Sequence, residues 1–334
     1  MIEIEIKIGD VRKTDCDVLV MKYAHGFHGA DGAVADALGK THTVEYQIGL
    51  KERHGHVLVP SGGSIGAENV MFISVGALSL FEYAEIRAFT RRALELVKQE
   101  LPSATHVAMT MHGVGYGLDE KESFLAQLGG IADAESSGIS NLRVSIVDRD
   151  QKRAWRLEAI LLEVVVRDRR PTGETGAGVE RPGPAGQIQK ITAGYDSLAK
   201  PHIFVAMPFS KELEDVFVFG IQTPINSAGY LCERMDMTTF TGDILDRIKA
   251  RIESSALVVA ELTGANPNVY LEVGYAWGRN RPTLLLAKES EKLGFDLQGQ
   301  RCLKYENIVD LKNKLEKDLA ELAKGRGRGI GRRE

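Results

Sequence analysis

ALVVAELTGANPNVYLEVGYAWGRNRPTLLLAK, residues 256–288, decides how the second half of this chain folds. ALVVAEL is an apolar run closed by an acid, the pattern of a strand buried on both faces of a parallel sheet. TGANPN holds the glycine, asparagine and proline of a turn. NVYLEVGYAWG reads as a helix with Asn268 as its N-cap, because that side chain accepts from the free amides of a first turn. PTLLLAK is the next strand. Upstream, HIFVAMPF (202–209) is another buried strand, and GDILDRIKARI (242–252) places Ile244, Leu245, Ile248 and Ile252 on one helical face. A β-α-β-α-β order within about 90 residues demands parallel pairing and right-handed crossovers.

Ligands of open parallel sheets bind beyond the carboxyl ends of the strands. ALVVAEL ends at Glu261–Leu262, and the turn follows at that edge. From an Asn268 cap, Glu272 falls one turn into the helix. Glu261 and Glu272 are therefore expected to converge on one crevice, with Thr263, Asn266 and Asn268 around them. Spacing alone leaves two readings of Glu272 open: a reacting carboxylate, or a first-turn acid that complements the helix dipole.

The stretch FTGDILDRIKARIESSALVVAELTGANPNVYLEVGYAWGRNRPTLLL (240–286) resembles the superfamily of nucleoside 2-deoxyribosyltransferases and their TIR-like relatives. LTGANPNVYLEVGYA and the opening HIFVAMPF carry most of the likeness, which covers residues 200–322. The resemblance implies a flavodoxin-like fold and a Glu272 that acts at the ribosyl anomeric carbon, as nucleophile or as the group holding the ribose hydroxyls. It implies Glu261 as a second catalytic carboxylate. It also adds Met207, Pro208, Phe209 and Asp243 to Thr263, Asn266 and Asn268 as substrate contacts. Relatives carry aspartate where this chain has Glu261, and the extra methylene displaces the carboxylate. Breaking an N-glycosidic bond develops positive charge on the sugar, which a preplaced carboxylate stabilises. Nicotinamide leaves NAD as a neutral base, so no general acid is required. Loss of a purine or pyrimidine needs one, and Asp236, Asp243 and Tyr270 are all candidates. Trp277 reads as core rather than as a stacking platform.

Before residue 167, strands at Ile2–Ile8, Asp17–Met21, Val57–Pro60, Val70–Val75, His106–Met111 and Leu142–Val147 alternate with helical stretches, the clearest being Glu82–Gln99. Arg153–Val166 reads as a mixture of helix and strand. IGDVRKTDCDVLVMKYAHGFHGADGAVADALG (8–39) and MHGVGYGLDEKESF (111–124) resemble a macro-type domain, closest to the domain that precedes the catalytic part of leucyl aminopeptidases. That resemblance implies adenine contact by Asp10, a first ligand loop with Gly26, Gly29 and Gly32, and a second with Gly113, Gly115, Tyr116 and Gly117. Amides of such loops cradle a diphosphate, and glycine lets backbone approach it. The first-loop asparagine of hydrolytic macro domains is absent, with Lys22, Tyr23 and His25 in the area, so binding is expected rather than ADP-ribosyl hydrolysis. A degenerate macro fold used for packing or assembly is the competing reading. His25, His28 and His112 lack the acidic ligands and spacing of a metal site, and no metal is expected.

The 334 residues suit two domains. We read residues 1–167 as the macro-like ligand-binding domain and 168–199 as a Pro/Gly-rich linker, parts of which dock locally around Ile188 and Ile191. Residues 200–323 form the TIR-like/deoxyribosyltransferase-like catalytic domain, and 324–334 a basic tail. A net charge of −4 gives a nucleic-acid partner no general support. Cys16, Cys232 and Cys302 match no disulfide or metal spacing and read as reduced thiols. With no signal-like or membrane-length apolar run, a soluble cytoplasmic protein is expected. The fold class is thus α/β with two domains, an N-terminal macro-like sandwich and a C-terminal flavodoxin-like parallel sheet. The pairing resembles prokaryotic immune effectors, in which a nucleotide sensor licenses a TIR-like domain to consume NAD. It predicts an NAD hydrolase with NAD as substrate and no cofactor, an ADP-ribose-like or cyclic-nucleotide activator, and a homo-oligomer. A nucleoside or nucleotide deoxyribosyltransferase or hydrolase is the second reading, and a non-enzymatic nucleotide sensor or scaffold the third.

Overall fold

The computed structural model describes residues 1–24, 26–27, 29–39, 44, 55–76, 80–166, 194–195, 197, 200–235, 243–291 and 302–327. Side chains of 165–166, 243–244 and 322–327 are outside that description. By contacts the chain divides into two compact units, Met1–Val114 with Glu120–Leu198, and Gly115–Asp119 with Ala199–Glu334.

The first unit holds β1 (Ile2–Ile8), β2 (Cys16–Tyr23), α1 (Ala30–Ala37), β3 (His56–Pro60), β4 (Ala67–Ser74), α2 (Tyr83–Glu100), β5 (His106–Thr110), α3 (Glu120–Ser136), β6 (Leu142–Asp148) and α4 (Gln151–Val166). Its six-stranded sheet runs β1-β6-β5-β2-β4-β3, with only β3 antiparallel. This is the α/β sandwich expected of the first domain. β1 is an edge strand paired to β6 alone; Ile2 is buried while Ile8, at its far end on the same face, lies half exposed. β2 is central, and its Leu19 and Met21 pack with Val34, Ala35 and Leu38 of α1. A capping box between Glu82 and Glu85 starts α2. α3 shows no single apolar stripe, since residues on most of its surface are buried, Gly129 and Gly130 included. A side chain at Gly130 would collide with the Arg87 carbonyl of α2 at 2.4 Å, so glycine is what permits the close helix contact. Arg87 grips Asp133 of α3 through two bonds of 2.7 and 2.8 Å and stacks over Tyr195 at 4.1 Å. Most of the expected linker, Ile188 and Ile191 included, lies outside the described residues. The stretch read as mixed helix and strand is one helix, α4, whose half-buried and buried positions follow a helical period and leave no strand break.

The second unit holds β7 (His202–Ala206), α5 (Lys211–Asp215), a π-helical stretch (Val216–Gln222), α6 (Thr223–Ser227) and β8 (Leu231–Glu233). There follow α7 (Asp243–Ser254), β9 (Leu257–Glu261), α8 (Pro267–Gly278), β10 (Thr283–Lys288), β11 (Cys302–Tyr305) and α9 (Ile308–Gly327). The sheet order is β8-β7-β9-β10-β11, all parallel. Numbered within the unit this is 2-1-3-4-5, the flavodoxin-like order, whose ligand crevice lies where the order reverses. Alternation sorts the strands between two cores. Ile203, Val205, Val259 and Leu286 meet the π stretch and α9, through Phe217, Ile221, Leu311 and Leu315. Phe204, Ala206, Val258, Ala260 and Leu285 meet α7 and α8, through Ile248, Ile252, Val269 and Val273. Leu245, expected on the buried face of α7, is 40% exposed. α9 continues to Gly327, inside the segment read as the basic tail; residues 328–334 lie outside the described residues.

Candidate functional site

The turn after β9 is tight. Thr263 closes it: its amide donates to Glu261 Oε1 at 3.0 Å, its hydroxyl also donates to Glu261, and it accepts from the Lys288 amide at 3.0 Å. Gly264 and Ala265 both take positive φ, +80° and +48°, to turn the chain into α8. The cap of α8 is Asn266, whose side chain accepts from the Asn268 amide at 2.9 Å, and Pro267 occupies the first helical position. This corrects the assignment of the cap to Asn268. A proline lacks the amide a preceding cap would satisfy, and its fixed φ suits a first turn. The shift moves Glu272 into the second turn, beyond the reach of the helix-end dipole. The reading of Glu272 as a first-turn acid is therefore removed.

Glu272 lies 7% exposed on the buried stripe of α8 with Val269, Val273 and Ala276. Burial alone pushes its carboxyl up to about 8; no charge or hydrogen bond among the described residues contributes. Glu261 is fully buried and burial raises it too, against the lowering effect of its Thr263 bonds. Its side chain follows Leu257 and Val259 onto the face covered by α9, where Tyr305 of β11 lies close enough to feel its charge. Glu261 Oε2 and Tyr305 Oη nevertheless close no hydrogen bond. The two carboxylates therefore do not converge. Strand alternation sends Glu261 to one face of the sheet, while α8 brings Glu272 to the other.

The remaining expected contacts divide similarly. Met207 is buried in the core beside α5 and the π stretch. Phe209, 43% exposed, is stacked by the Arg234 guanidinium at 4.0 Å. Arg234 also lies over Phe217 at 3.7 Å and pairs with Glu214 at 3.0 Å. Pro208 is half buried between them in sequence, and Asn268 is exposed. Trp277 packs partly into the core beneath α8, as core rather than platform. The Asp243 side chain and Asp236 lie outside the described residues. Sequence reading missed Arg234, Lys288 and Tyr305, because their partners lie in elements distant along the chain and no local spacing marks them.

In the first unit, Asp10 caps a single 3-10 turn at the carboxyl edge of β1. Arg12 Nη2 meets it at 2.6 Å and Arg149 Nη2 at 2.9 Å. The Arg12 hydrogen bond, aided by Arg149, holds its carboxyl far below the usual range. An adenine amino group would have to compete with both guanidinium groups. Gly29 takes φ +55° at the N-cap of α1 with open space around it, and Gly26 takes φ +159°, while Gly32 makes only ordinary contact with Phe27. At the start of α1, Asp31 forms a buried ion pair with Lys22 and accepts the Lys22 amide at 3.2 Å. A side chain at Gly113 would strike Ser123 Oγ at 2.4 Å. Gly115–Asp119 groups with the second unit: a side chain at Gly117 would strike Met235 at 2.2 Å, and the Asp119 carboxylate accepts the Cys232 amide at 2.9 Å. Tyr116 is buried, and Arg247 lies over its ring at 6.0 Å. Of the expected second loop only Gly115 has open space, so the loop is spent on packing more than on a cradle. His112 is enclosed by Phe81 and Phe89 and pushed down to about 3 by burial, which makes it a neutral core residue. His25 and His28 lie outside the described residues.

No family model matches the chain, and no curated protein does. Among solved structures, it is similar to the Oceanobacillus iheyensis macrodomain with ADP (18% identity, 49% of this chain and 92% of that one, TM-score 0.40). It is also similar to the Trypanosoma brucei macrodomain in complex with ADP (15% identity, 48% and 69%, TM-score 0.39). A third likeness is to the CMP N-glycosidase of Clostridium botulinum (20% identity, 35% and 98%, TM-score 0.30). At these scores the likenesses carry no argument, and the two-domain α/β assignment rests on the strand orders given above.

Proposed function

We propose that the second unit cleaves an N-glycosidic bond of a nucleotide, with NAD as substrate and Glu272 as the reacting carboxyl. The observation that carries this reading is Glu272 itself: a buried acid with no counter-ion among the described residues, on the helix that follows the carboxyl edge of β9. In the reaction, the C1′–N bond breaks and its electron pair passes to the pyridinium nitrogen, which leaves as neutral nicotinamide. The Glu272 carboxylate stabilises the positive charge left on C1′. Water then bonds to C1′ and releases a proton, giving ADP-ribose. Glu261 supports the edge of β9 from the opposite face in this reading, holding the turn through Thr263. The first unit is the sensor, binding an ADP-ribose-like or cyclic nucleotide, in the manner of the immune effectors that the domain pairing resembles.

The test is incubation of the full chain with NAD, and separately with deoxynucleosides and CMP, following release of free base. Nicotinamide release that Glu272→Gln abolishes supports the reading. Release of base only from nucleosides or CMP favours the deoxyribosyltransferase or nucleotide-hydrolase reading. No release from any of them, with nucleotide binding intact, leaves the non-enzymatic sensor.

A further inference from the structure

β1 is the outer strand of the first sheet, and the backbone groups of its residues turn alternately to β6 and outward. Gly9 donates to the Asp148 carbonyl at 2.9 Å, which fixes the phase. Glu3, Glu5 and Lys7 therefore bond towards β6, and Ile2, Ile4, Ile6 and Ile8 point outward. The Ile2 amide is taken by Glu135 at 2.7 Å. Those of Ile4, Ile6 and Ile8 make no hydrogen bond among the described residues. A lysine on an edge strand repels a passing strand. Here Lys7 is balanced by Glu5 at 3.1 Å on the same face.

The apolar face of this edge is also incompletely covered. Ile4 and Ile6 are half buried, and Ile8 is exposed. α4 packs against β1 and β6, and its Arg153 and Arg156 reach Glu120 of α3 on the inner flank. At about 100° per residue, Trp155 and Leu162 fall roughly opposite Arg153, on the flank above the β1 edge. They are 55% and 57% exposed. An open row of amides and an apolar helix flank thus lie side by side.

We propose that this edge binds a second copy of the chain, β1 against β1, antiparallel and centred on Ile6. Residues opposite each other share a face of the sheet, so charge can be compared register by register. Centred on Ile4, Glu3 meets the partner's Glu5 twice. Centred on Glu5, two Glu5 carboxylates meet. Centred on Ile6, Glu5 meets the partner's Lys7 and Lys7 the partner's Glu5, at non-hydrogen-bonded positions, where side chains come closest. Ile6 then exchanges hydrogen bonds with the partner's Ile6, and Ile4 with the partner's Ile8, which satisfies all three open amides. The two six-stranded sheets become one. The twofold axis stands perpendicular to the sheet, keeps both α4 helices on the same face and turns their Trp155–Leu162 flanks towards each other. The edge is complementary to itself, which is what a second copy matches and an unrelated strand does not. The inference is independent of the N-glycosidase reading.

Sedimentation velocity on the full chain tests it. Wild type should form a dimer with Kd at or below about 10 μM. Lys7→Glu places two pairs of carboxylates in opposition, and Glu5→Lys two pairs of ammonium groups. Each variant alone should dimerise about tenfold more weakly or worse. Mixed in equal amounts, the two should recover wild-type association, because every glutamate then faces a lysine. Trp155→Lys, at an exposed position, should also weaken the dimer about tenfold without disturbing the fold. That variant decides the matter should Glu5→Lys, which gives up the Ser145 hydroxyl, fail to fold. Wild type that stays monomeric at about 100 μM overturns the inference. So does a dimer indifferent to Lys7→Glu and Trp155→Lys, or a pair of folded charge variants that stay monomeric when mixed.

Discussion

Glu272 and Asp10 are both acids near the carboxyl edge of a sheet, and their surroundings could hardly differ more. Asp10 is clamped by Arg12 and Arg149 and stays ionised far into acid. Glu272 has no partner among the described residues and is pushed up to about 8 by burial. A compensated acid contributes to the fold and is slow to take a ligand, since any newcomer must displace its partners. An uncompensated one costs stability, and such costs are tolerated where a ligand later repays them. By that measure the proposed reaction belongs to the second unit, while the edge of the first unit is already closed on itself at Asp10.

The sharpest way to break the contrast is Glu272→Gln. The exchange keeps shape and hydrogen-bonding size but never ionises, so NAD cleavage should fall at least about a hundredfold with the melting temperature maintained. Wild-type turnover in the folded variant would falsify the assignment of Glu272. Next comes the dependence of stability on pH. The folded-state pKa of Glu272 lies above its unfolded value of 4.5, so its stabilising contribution is complete below about 4.5 and is lost as pH rises towards 8. At about 1.4 kcal/mol per pH unit, wild type should lose roughly 2 kcal/mol more than Glu272→Gln between pH 6 and pH 8. Parallel urea melts at the two pH values measure this, and identical losses in both proteins would show that Glu272 ionises freely.

Glu261 sharpens the comparison within the second unit, because it is equally buried but tied to Thr263. Glu261→Gln should change unfolding free energy by about 1–2 kcal/mol, through weakened bonds to Thr263, while kcat stays within a few-fold. A large loss of kcat in a fully stable variant would return Glu261 to the chemistry. The smallest effect is expected in the first unit. Arg149→Ala removes one of the two guanidinium groups on Asp10 and should tighten binding of ADP-ribose several-fold, if Asp10 reads adenine. Titration calorimetry on the full chain follows it, and unchanged or weaker binding would mean that Asp10 serves the fold alone.

Periodicity and composition by themselves determined the α/β class, the strands β7, β9 and β10, and the helices α7 and α8. These rest on contacts between residues close in the chain, which leave a readable pattern. The short β8, the helix α3 buried on most sides and the single helix at Gln151–Val166 escaped that reading. A three-residue strand has no period, and a helix enclosed by neighbours shows no amphipathic stripe. The site divided along the same line. Sequence supplied Glu261 and Glu272 as a pair of acids, eleven positions apart by subtraction of their numbers. Only the tertiary structure could place them on opposite faces of the sheet, because face is set by the register of β9 against β10 and by where Asn266 and Pro267 start α8. Likewise Asp10 read as a free ligand for adenine until Arg149, distant in sequence, was brought beside it by the pairing of β1 with β6. Charge compensation is a property of neighbours in space, and spacing along the chain does not record it.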